Sequence, residues 1–357
     1  MYRFLMVLMA VGAVCGGADR ILGNRFGLGK KFEEGFELLG PIALSMAGII
    51  CLMPAMSGAL SKVIAPVFSA VGIDPGVFGG MLAIDMGGYP LAMGLARDAD
   101  VGRFAGIVIA ATFGCTVVFT IPVGMGLVPE EGHGAFARGL LLGLASLPVA
   151  LAAGGLLCGL GLGQALWQCA PVFVMSALLL WGLFRHPKGM LKGFAAFARL
   201  IQIVTTLGLV LGAVQHMTGW SFLPDLAPLE EGMAVASAIA IVLLGSMPLA
   251  ELLRRALKKP FERLGARTGM NAAGTTGLII GLISVTPALG MFREMDDRSR
   301  VVNAAALVCG ASAFSAHFAF AAAVEPDLVP ALLLSKTLGA LLGAGLALAF
   351  TRKNRVE

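Results

Sequence analysis

Charged residues are scarce in this chain, and their scarcity excludes most soluble folds. Asp, Glu, Lys and Arg make up 13% of the 357 residues, whereas hydrophobic residues make up 58%. Soluble domains carry about 25% charged residues because their surfaces face water. The composition therefore predicts an all-α polytopic membrane protein. The net charge of +5 does not indicate nucleic-acid binding, since the basic residues lie in short loops between apolar segments.

The chain also lacks the patterns of common catalytic, metal and nucleotide sites. Its six cysteines are scattered through apolar segments and none forms a C-x-x-C pair, so neither a zinc site nor a disulfide framework is predicted. No nucleotide-binding loop and no Ser–His–Asp pattern is present. We expect no enzyme activity, no cofactor and no metal site. An ATP-driven pump would need a partner subunit that supplies the ATPase.

Long apolar segments follow one another along the whole chain. About 20 apolar residues in a helix are enough to cross a hydrocarbon core of about 30 Å. Two of the segments, 76–95 and 272–291, are rich in Gly and Pro, which interrupt helices. An interrupted helix within lipid must be shielded by protein or line a cavity. The other nine segments lie at about 3–19, 36–56, 103–127, 137–160, 169–185, 196–216, 233–250, 301–323 and 330–350.

The second half of the chain repeats the first. The run at 32–36, Phe-Glu-Glu-Gly-Phe, has a near copy at 229–233, Leu-Glu-Glu-Gly-Met, at a shift of 197 residues. The same shift relates three further pairs, Pro90 and Pro287, Arg103 and Arg300, and Pro129 and Pro326. We predict a first membrane repeat at 1–160, a linker helix and cytoplasmic loop at 161–195, and a second membrane repeat at 196–357. Such duplication is typical of transporters with a binding site between the halves.

The positions of Lys and Arg indicate how the two interrupted segments run. Basic clusters lie at 20–31, 185–199 and 251–267 and in the C-terminal tail, and cytoplasmic loops carry an excess of such residues. All of these clusters fall on the cytoplasmic side only if segments 76–95 and 272–291 each enter the membrane and leave it again on the same side. We predict about nine transmembrane helices, two re-entrant hairpins and two inverted repeats, as in elevator-like transporters. Two kinked full spans are the alternative.

Asp85 is the most informative single residue. A carboxylate at membrane depth costs about 2.5–3.5 kcal/mol on insertion scales, so it is tolerated where it meets a cation, a proton or water. Gly87 and Gly88 let a ligand approach the backbone, and Tyr89 adds a hydroxyl and an aromatic face for a cation. We predict these four residues to bind substrate. Helix capping, or a place at a wet hairpin mouth, is the alternative for Asp85.

Polar residues in the second half are further candidate ligands. Ser284 and Thr286 lie in the second interrupted segment, and Asn303 and His317 lie in the apolar segment that follows. We predict all four to contact substrate. The alternative for the hydroxyls is a bond back to their own helix. The alternative for His317 is packing, although a membrane histidine also suits a ligand or proton contact.

Two residues that precede the interrupted segments have a structural interpretation. Asp74 lies just before the first segment, and Asn271, its counterpart at a shift of 197, lies just before the second. Side chains of this type accept hydrogen bonds from the free N–H groups at the start of a helix. We therefore expect both to be helix caps.

Several of these runs resemble the bacterial ethanolamine permease family, EutH. They are the run 32–36, the Asp85-Met86-Gly87-Gly88 element, the helix around His317, and the stretches 18–22 and 287–295. The resemblance extends in order through almost the whole chain. It implies a multi-pass permease of the bacterial inner membrane that takes up ethanolamine. The chain departs from the family in having Ala316 before the membrane histidine, where relatives typically have Asp, and in shorter loops near 24–32 and 161–168.

Ethanolamine suits the candidate residues because it presents one ammonium and one hydroxyl. Asp85 with Tyr89 is predicted to receive the ammonium, and the hydroxyl falls to Ser284, Thr286, Asn303 or His317. We expect facilitated diffusion by alternating access, with the lipid bilayer as surroundings. A sodium- or proton-coupled carrier of another small amino alcohol or polar solute is the alternative. Homo-oligomerisation is compatible with this class of carrier, and the sequence does not decide it.

Overall fold

A computed structural model describes residues 2–82 and 88–351, and all regular elements within these ranges are helical. Asp85 and Gly87 lie outside the described residues. The α-helices are α1 (Tyr2–Ile21), α2 (Leu28–Glu37), α3 (Leu39–Ala70), α4 (Gly76–Leu82), α5 (Gly88–Leu95), α6 (Ala99–Phe104), α7 (Ile121–Leu127), α8 (His133–Leu144), α9 (Leu147–Leu157), α10 (Leu162–Gln168), α11 (Ala170–Arg185), α12 (Pro187–Thr218), α13 (Leu229–Thr268), α14 (Ala272–Gly281), α15 (Val285–Gly290), α16 (Asp297–Gly310), α17 (Ala316–Val324) and α18 (Val329–Phe350). Two π-helical stretches, Ala105–Gly114 and Thr116–Thr120, lie between α6 and α7.

Helices long and apolar enough to cross a membrane dominate the described part of the chain. Six segments meet this description there, and two bent pairs, α8 with α9 and α10 with α11, raise the number to eight if each pair is one span. This confirms a helical, multi-pass membrane protein. The apolar segment 301–323 is not one continuous helix, because α16 ends at Gly310 and α17 begins at Ala316. The predicted total of nine spans stays a prediction. The six segments are Arg3–Ile21, Leu28–Ala70, Ala99–Leu127, Lys188–Thr218, Leu229–Thr268 and Pro326–Phe350.

The two ends of the first interrupted segment lie together. Helices α4 and α5 pack so closely that a Cβ on Gly79 would collide with the backbone of Ala92. The carboxylate of Asp74, just before α4, accepts hydrogen bonds from the backbone N–H groups of Arg97 (3.0 Å) and Asp98 (2.9 Å), just after α5. One buried side chain therefore ties the start of this segment to its end.

The second interrupted segment is closed in the same way. The Asn271 side chain donates to the carbonyl oxygen of Glu294 (2.7 Å), just after α15, and accepts from the N–H of Gly274 (2.8 Å), which caps α14. Asp74 likewise accepts from the first turn of α4, so both residues are helix caps, as predicted. Their partners across the segment, Arg97 and Glu294, are also 197 positions apart. Residues 197 positions apart therefore make comparable contacts at the two interrupted segments.

Small residues bring the two halves into close contact, and these contacts are reciprocal. A Cβ on Gly35 of α2 would lie 2.5 Å from the carbonyl oxygen of Leu243 in α13. A Cβ on Gly232 of α13, the counterpart of Gly35, would lie 2.6 Å from the Cα of Ala47 in α3. Close backbone approach through small residues is typical of membrane helices. Reciprocal contacts between equivalent positions are what a two-fold relation produces.

Irregular backbone occurs at corresponding places in the two halves. In the second half, residues 311–315 separate α16 from α17, and Ser312 has a positive φ of 52°. The backbone N–H of Ser312 donates to the carbonyl oxygen of Gly281 (3.0 Å), at the end of α14. In the first half, the corresponding residues lie where the π-helix Ala105–Gly114 gives way to Thr116–Thr120. Such interruptions inside membrane helices often mark functional sites.

Candidate functional site

A cavity of about 300 Å³ lies between the π-helical stretches of the first half and the broken helix of the second. Residues from α12 complete its wall. Cys115 and Ser312, which both line the cavity, are 197 positions apart, and so are the lining residues Phe119 and Ala316. The cavity therefore lies where equivalent parts of the two halves face each other. This is the usual place for a binding site in transporters built from repeats.

His317 provides a buried nitrogen base in the cavity wall. Its Nδ1 lies 3.0 Å from the carbonyl oxygen of Ala311, in the break between α16 and α17. Because a carbonyl oxygen only accepts, Nδ1 carries the hydrogen and Nε2 of the neutral ring carries the lone pair. Ser315 stabilises the break, because its hydroxyl donates to the carbonyl oxygen of Ile283, just after α14. The helix break thus orients the imidazole that the sequence singled out.

Tyr89 borders the same cavity. Its ring packs edge to face on Phe320, with centroids 6.3 Å apart, and a Cβ on Gly106 would lie 2.7 Å from the Tyr89 Cα. Phe320 and Gly106 both line the cavity. The Tyr89 hydroxyl donates to Oε1 of Glu325 at 2.6 Å. Gly88, the residue before Tyr89, is buried at the start of α5.

Glu325 connects the two halves through an ion pair with Arg103. Its Oε2 accepts from Nη2 (2.7 Å) and Nε (3.1 Å) of that guanidinium. The Glu325 side chain is 17% exposed and that of Arg103 is 29% exposed. Hydrogen bonds between charged groups are shorter and stronger than neutral ones. The cluster of Tyr89, Glu325 and Arg103 therefore holds α5, α6 and the end of α17 together.

A fully buried lysine lies behind the cavity wall. Lys336 of α18 has no exposed surface, and its ammonium donates to the carbonyl oxygen of Ala111 at 2.5 Å. Ala111 belongs to the π-helix and lines the cavity. An ionisable residue within a membrane helix is costly and commonly has a functional role. Lys336 places positive charge next to the site without lining it.

The other predicted ligands lie outside the described lining of this cavity. Ser284 lies just before α15, and its backbone N–H donates to the carbonyl oxygen of Ile280 (2.7 Å). Thr286 is exposed on the protein surface. Asn303 is buried, and its Nδ2 donates to the carbonyl oxygens of Gly274 and Ser299, both at 2.9 Å. The structure thus places His317 in the lining and Tyr89 against two lining residues, and substrate binding by all the predicted residues stays a prediction.

Comparison with known proteins identifies the family. The family model described as "Ethanolamine utilisation protein, EutH" matches residues 1–350. The chain belongs to the EutH family. The resemblance that the sequence motifs carried is therefore confirmed over nearly the full length.

Individual EutH relatives match with similar coverage. A protein of Listeria monocytogenes named "Probable ethanolamine permease EutH" is 36% identical over 99% of this chain and 96% of the relative. An Escherichia coli protein of the same name is 33% identical over 98% and 94%. "Uncharacterized protein YxeR" of Bacillus subtilis is 35% identical over 96% and 93%. No solved structure matches the chain. The permease names of two relatives point to a transporter rather than an enzyme.

Two ionisable residues near the cavity of this EutH protein were not predicted from the sequence. Glu325 is the acidic residue at the end of an apolar helix, and Lys336 is a lysine inside the apolar segment 330–350. Both could have been singled out as candidate functional residues, because an ionisable residue inside or at the end of an apolar segment is unusual. In the sequence, Arg103 stood out only through its counterpart Arg300 at a shift of 197 residues. Its ion pair could not be predicted, because the partner Glu325 is 222 residues away.

Proposed function

We propose that this protein is a permease of the bacterial inner membrane that takes up ethanolamine. The observation that carries the proposal is the near full-length match to relatives with permease names. The cavity between the halves supports it, because a small polar solute needs a partly polar chamber inside the membrane that is large enough to hold it. The solute and the surrounding lipid are the partners that this function requires.

The groups around the cavity suit an amino alcohol. The face of Tyr89 and the carboxylate of Glu325 favour an ammonium. The Nε2 of His317 and the hydroxyl of Ser312 favour a substrate hydroxyl. Asp85 with Gly87 and Gly88 remains our predicted ammonium site from the sequence, and Ser284, Thr286 and Asn303 remain predicted contacts for the hydroxyl.

We infer an alternating-access mechanism from the pattern of contacts between the halves. Asp74 and Asn271 each bond the start of an interrupted segment to its end, which supports two re-entrant hairpins. The reciprocal packing of Gly35 and Gly232 supports two repeats, which the loop charges orient as inverted. Rocking of one repeat unit against the other would expose the cavity to each side in turn, as in elevator-like carriers. The proposal also includes nine membrane spans, repeat boundaries at 160 and 196, and a homo-oligomer.

Uptake of labelled ethanolamine into proteoliposomes tests the proposal. The purified protein is reconstituted without an ion gradient and assayed at pH 6 and pH 8. At pH 6 little neutral base is present, so passive leakage across lipid is small. Saturable, protein-dependent uptake that choline does not compete away is expected for facilitated diffusion. Absence of flux for ethanolamine in every condition would contradict the function.

A proton-coupled carrier is the second candidate, and Lys336 is the observation that favours it. A buried lysine beside the cavity can bind and release a proton during a transport cycle. Flux that appears only with an imposed proton gradient would select this candidate. A requirement for sodium would instead select sodium coupling, and uptake without either gradient would select facilitated diffusion.

A further inference from the structure

The Arg103–Glu325 ion pair lies about one helical turn beyond the cavity. Arg103 precedes the lining residue Gly106 by three positions, and Glu325 follows the lining residue Ala321 by four. Beyond the pair, residues 97–100 and Asp327 are exposed. The pair therefore lies between the exposed surface and the cavity.

Arg103 has a second carboxylate within reach. Its Nη1 is 3.9 Å from Oδ1 of Asp100, one turn earlier in the same helix, and the Asp100 side chain is 59% exposed. The guanidinium can therefore exchange the partly buried Glu325 for an acid nearer the surface. A rotation of the long side chain about its own bonds is enough for this exchange, since positions three apart are neighbours on a helix.

The second half shows the arrangement that this exchange would produce. Arg300 and Asp297 are the counterparts of Arg103 and Asp100 at a shift of 197, and they pair at 3.2 Å. The counterpart of Glu325 is Val128, which offers no carboxylate. An arginine at this position thus pairs with the acid one turn earlier where no cross-half acid competes. The two equivalent arginine sites consequently differ by one carboxylate, Glu325.

We propose that Glu325 is a binding site for the ammonium group of the incoming substrate, and that Arg103 occupies it until the substrate arrives. This inference rests on the proposed function. A primary ammonium presents N–H donors to Oε2 as the guanidinium does, while Arg103 moves to Asp100 and Tyr89 continues to donate to Oε1. A quaternary ammonium has no N–H group, so it cannot replace the hydrogen bonds of Arg103. Glu325 therefore selects primary amines over choline-like cations.

Single substitutions at Glu325, Arg103 and Asp100 should shift the KM for ethanolamine uptake in different directions. Glu325→Gln removes the charge and should raise the KM for ethanolamine uptake at pH 6 by about tenfold or more, as expected for loss of a charge-assisted hydrogen bond. Arg103→Gln removes the resident competitor and should lower the KM. Asp100→Asn removes the second partner of Arg103 and should raise the KM. Asp327→Asn, at an exposed acid two residues from Glu325, is the matched control and should leave the KM unchanged.

A purely structural ion pair predicts a different result. Glu325→Gln and Arg103→Gln would then both reduce transport, because either change breaks the same contact. Shifts of KM in the same direction for these two variants, or an unchanged KM for Glu325→Gln, would overturn the proposal. If Glu325→Gln does not give a monodisperse protein, Glu325→Asp keeps the carboxylate while shortening its reach. It should transport with a KM between those of wild type and a variant without charge, and an unchanged KM would again overturn the proposal.

A binding measurement separates this proposal from the proposed function. Thermal unfolding of the purified protein is followed at pH 6 with ethanolamine, ethylammonium, choline and uncharged ethylene glycol. Stabilisation by the two primary ammonium compounds, lost in Glu325→Gln and kept in Asp327→Asn, supports Glu325 even if no flux is found. Wild-type flux together with equal stabilisation of both variants would retain the permease and overturn the Glu325 site.

Discussion

The Tyr89 hydroxyl donates a 2.6 Å hydrogen bond to Oε1 of Glu325, a residue 236 positions later in the chain. The bond joins the first hairpin to the end of α17, while the Tyr89 ring remains packed on Phe320 beside the cavity. One side chain thus packs its ring on a residue of the cavity wall and donates its hydroxyl hydrogen to the carboxylate that pairs with Arg103. Substitutions that remove either the ring contact or the hydroxyl bond can test which of the two contributes to transport.

Tyr89→Phe should retain the fold and weaken ethanolamine uptake. The ring is kept, so packing on Phe320 is preserved, but the carboxylate of Glu325 loses one donor. A hydrogen bond to a charged group contributes about 1.5–3 kcal/mol, so the midpoint of thermal unfolding should fall slightly. Uptake into proteoliposomes should show a raised KM. Phe320→Leu, which keeps the hydroxyl bond and removes the ring contact, is the comparison. An unchanged KM in Tyr89→Phe would mean that the hydroxyl has no part in transport.

Asp85→Asn should strongly reduce uptake of the protonated amine. The change removes the charge from the acid that the sequence places in the first interrupted segment, and an ammonium in a low-dielectric site depends on such a charge. Initial rates at pH 6 give the measurement. Glu130→Gln, at an exposed acid, controls for loss of a single negative charge. Wild-type rates in a well-folded Asp85→Asn protein would show that the ammonium is bound elsewhere.

Asp74→Ala should destabilise the protein far more than Asp74→Asn. The buried carboxylate accepts from the N–H groups of Gly76, Arg97 and Asp98, and alanine would leave these donors without their partner. Each unsatisfied buried group costs about 1–3 kcal/mol. Asparagine keeps one acceptor oxygen, and in the second half Asn271 caps α14 with its oxygen while its Nδ2 donates across the segment to Glu294. Thermal unfolding in detergent measures the difference, and equal stability of the two variants would show that Asp74 does not hold the hairpin closed.

Lys336→Met should fold at least as stably as wild type and bind the ammonium substrate more tightly. Methionine fills similar space without a buried charge, and hydrophobic replacement of buried charge is often neutral or stabilising. Removal of a positive group from behind the cavity wall also removes repulsion of an ammonium. The KM at pH 6 should therefore fall, whereas Lys62→Met, at an exposed lysine of α3, should leave it unchanged.

The opposite outcome for Lys336→Met is equally informative. A stable protein that has lost uptake, or lost a dependence on an imposed proton gradient, would show that Lys336 takes part in the transport cycle. That result would select the proton-coupled carrier over facilitated diffusion.

Much of the architecture was readable from residues that are close in sequence. Asp74 and Asn271 were expected to be helix caps, and both are, because a cap acts on the first turn that follows it. That the same two side chains also close their segments was not expected, since Arg97 and Glu294 lie more than twenty positions further along. The continuous helix expected over 301–323 is broken at 311–315. Hydropathy does not register the break, because Ala311, Ala313 and Phe314 keep the segment apolar despite the two serines among them.

The sequence by itself determined the class of the protein and its family, and it predicts a duplication. These depend on composition, on the spacing of similar residues and on motifs, and all three are properties of the chain before it folds. Only the tertiary structure decided which polar groups come together around the cavity. The pairs Arg103–Glu325 and Lys336–Ala111 join residues 222 and 225 positions apart. Helix packing between the halves brings them together, and a linear pattern does not encode which buried faces will meet.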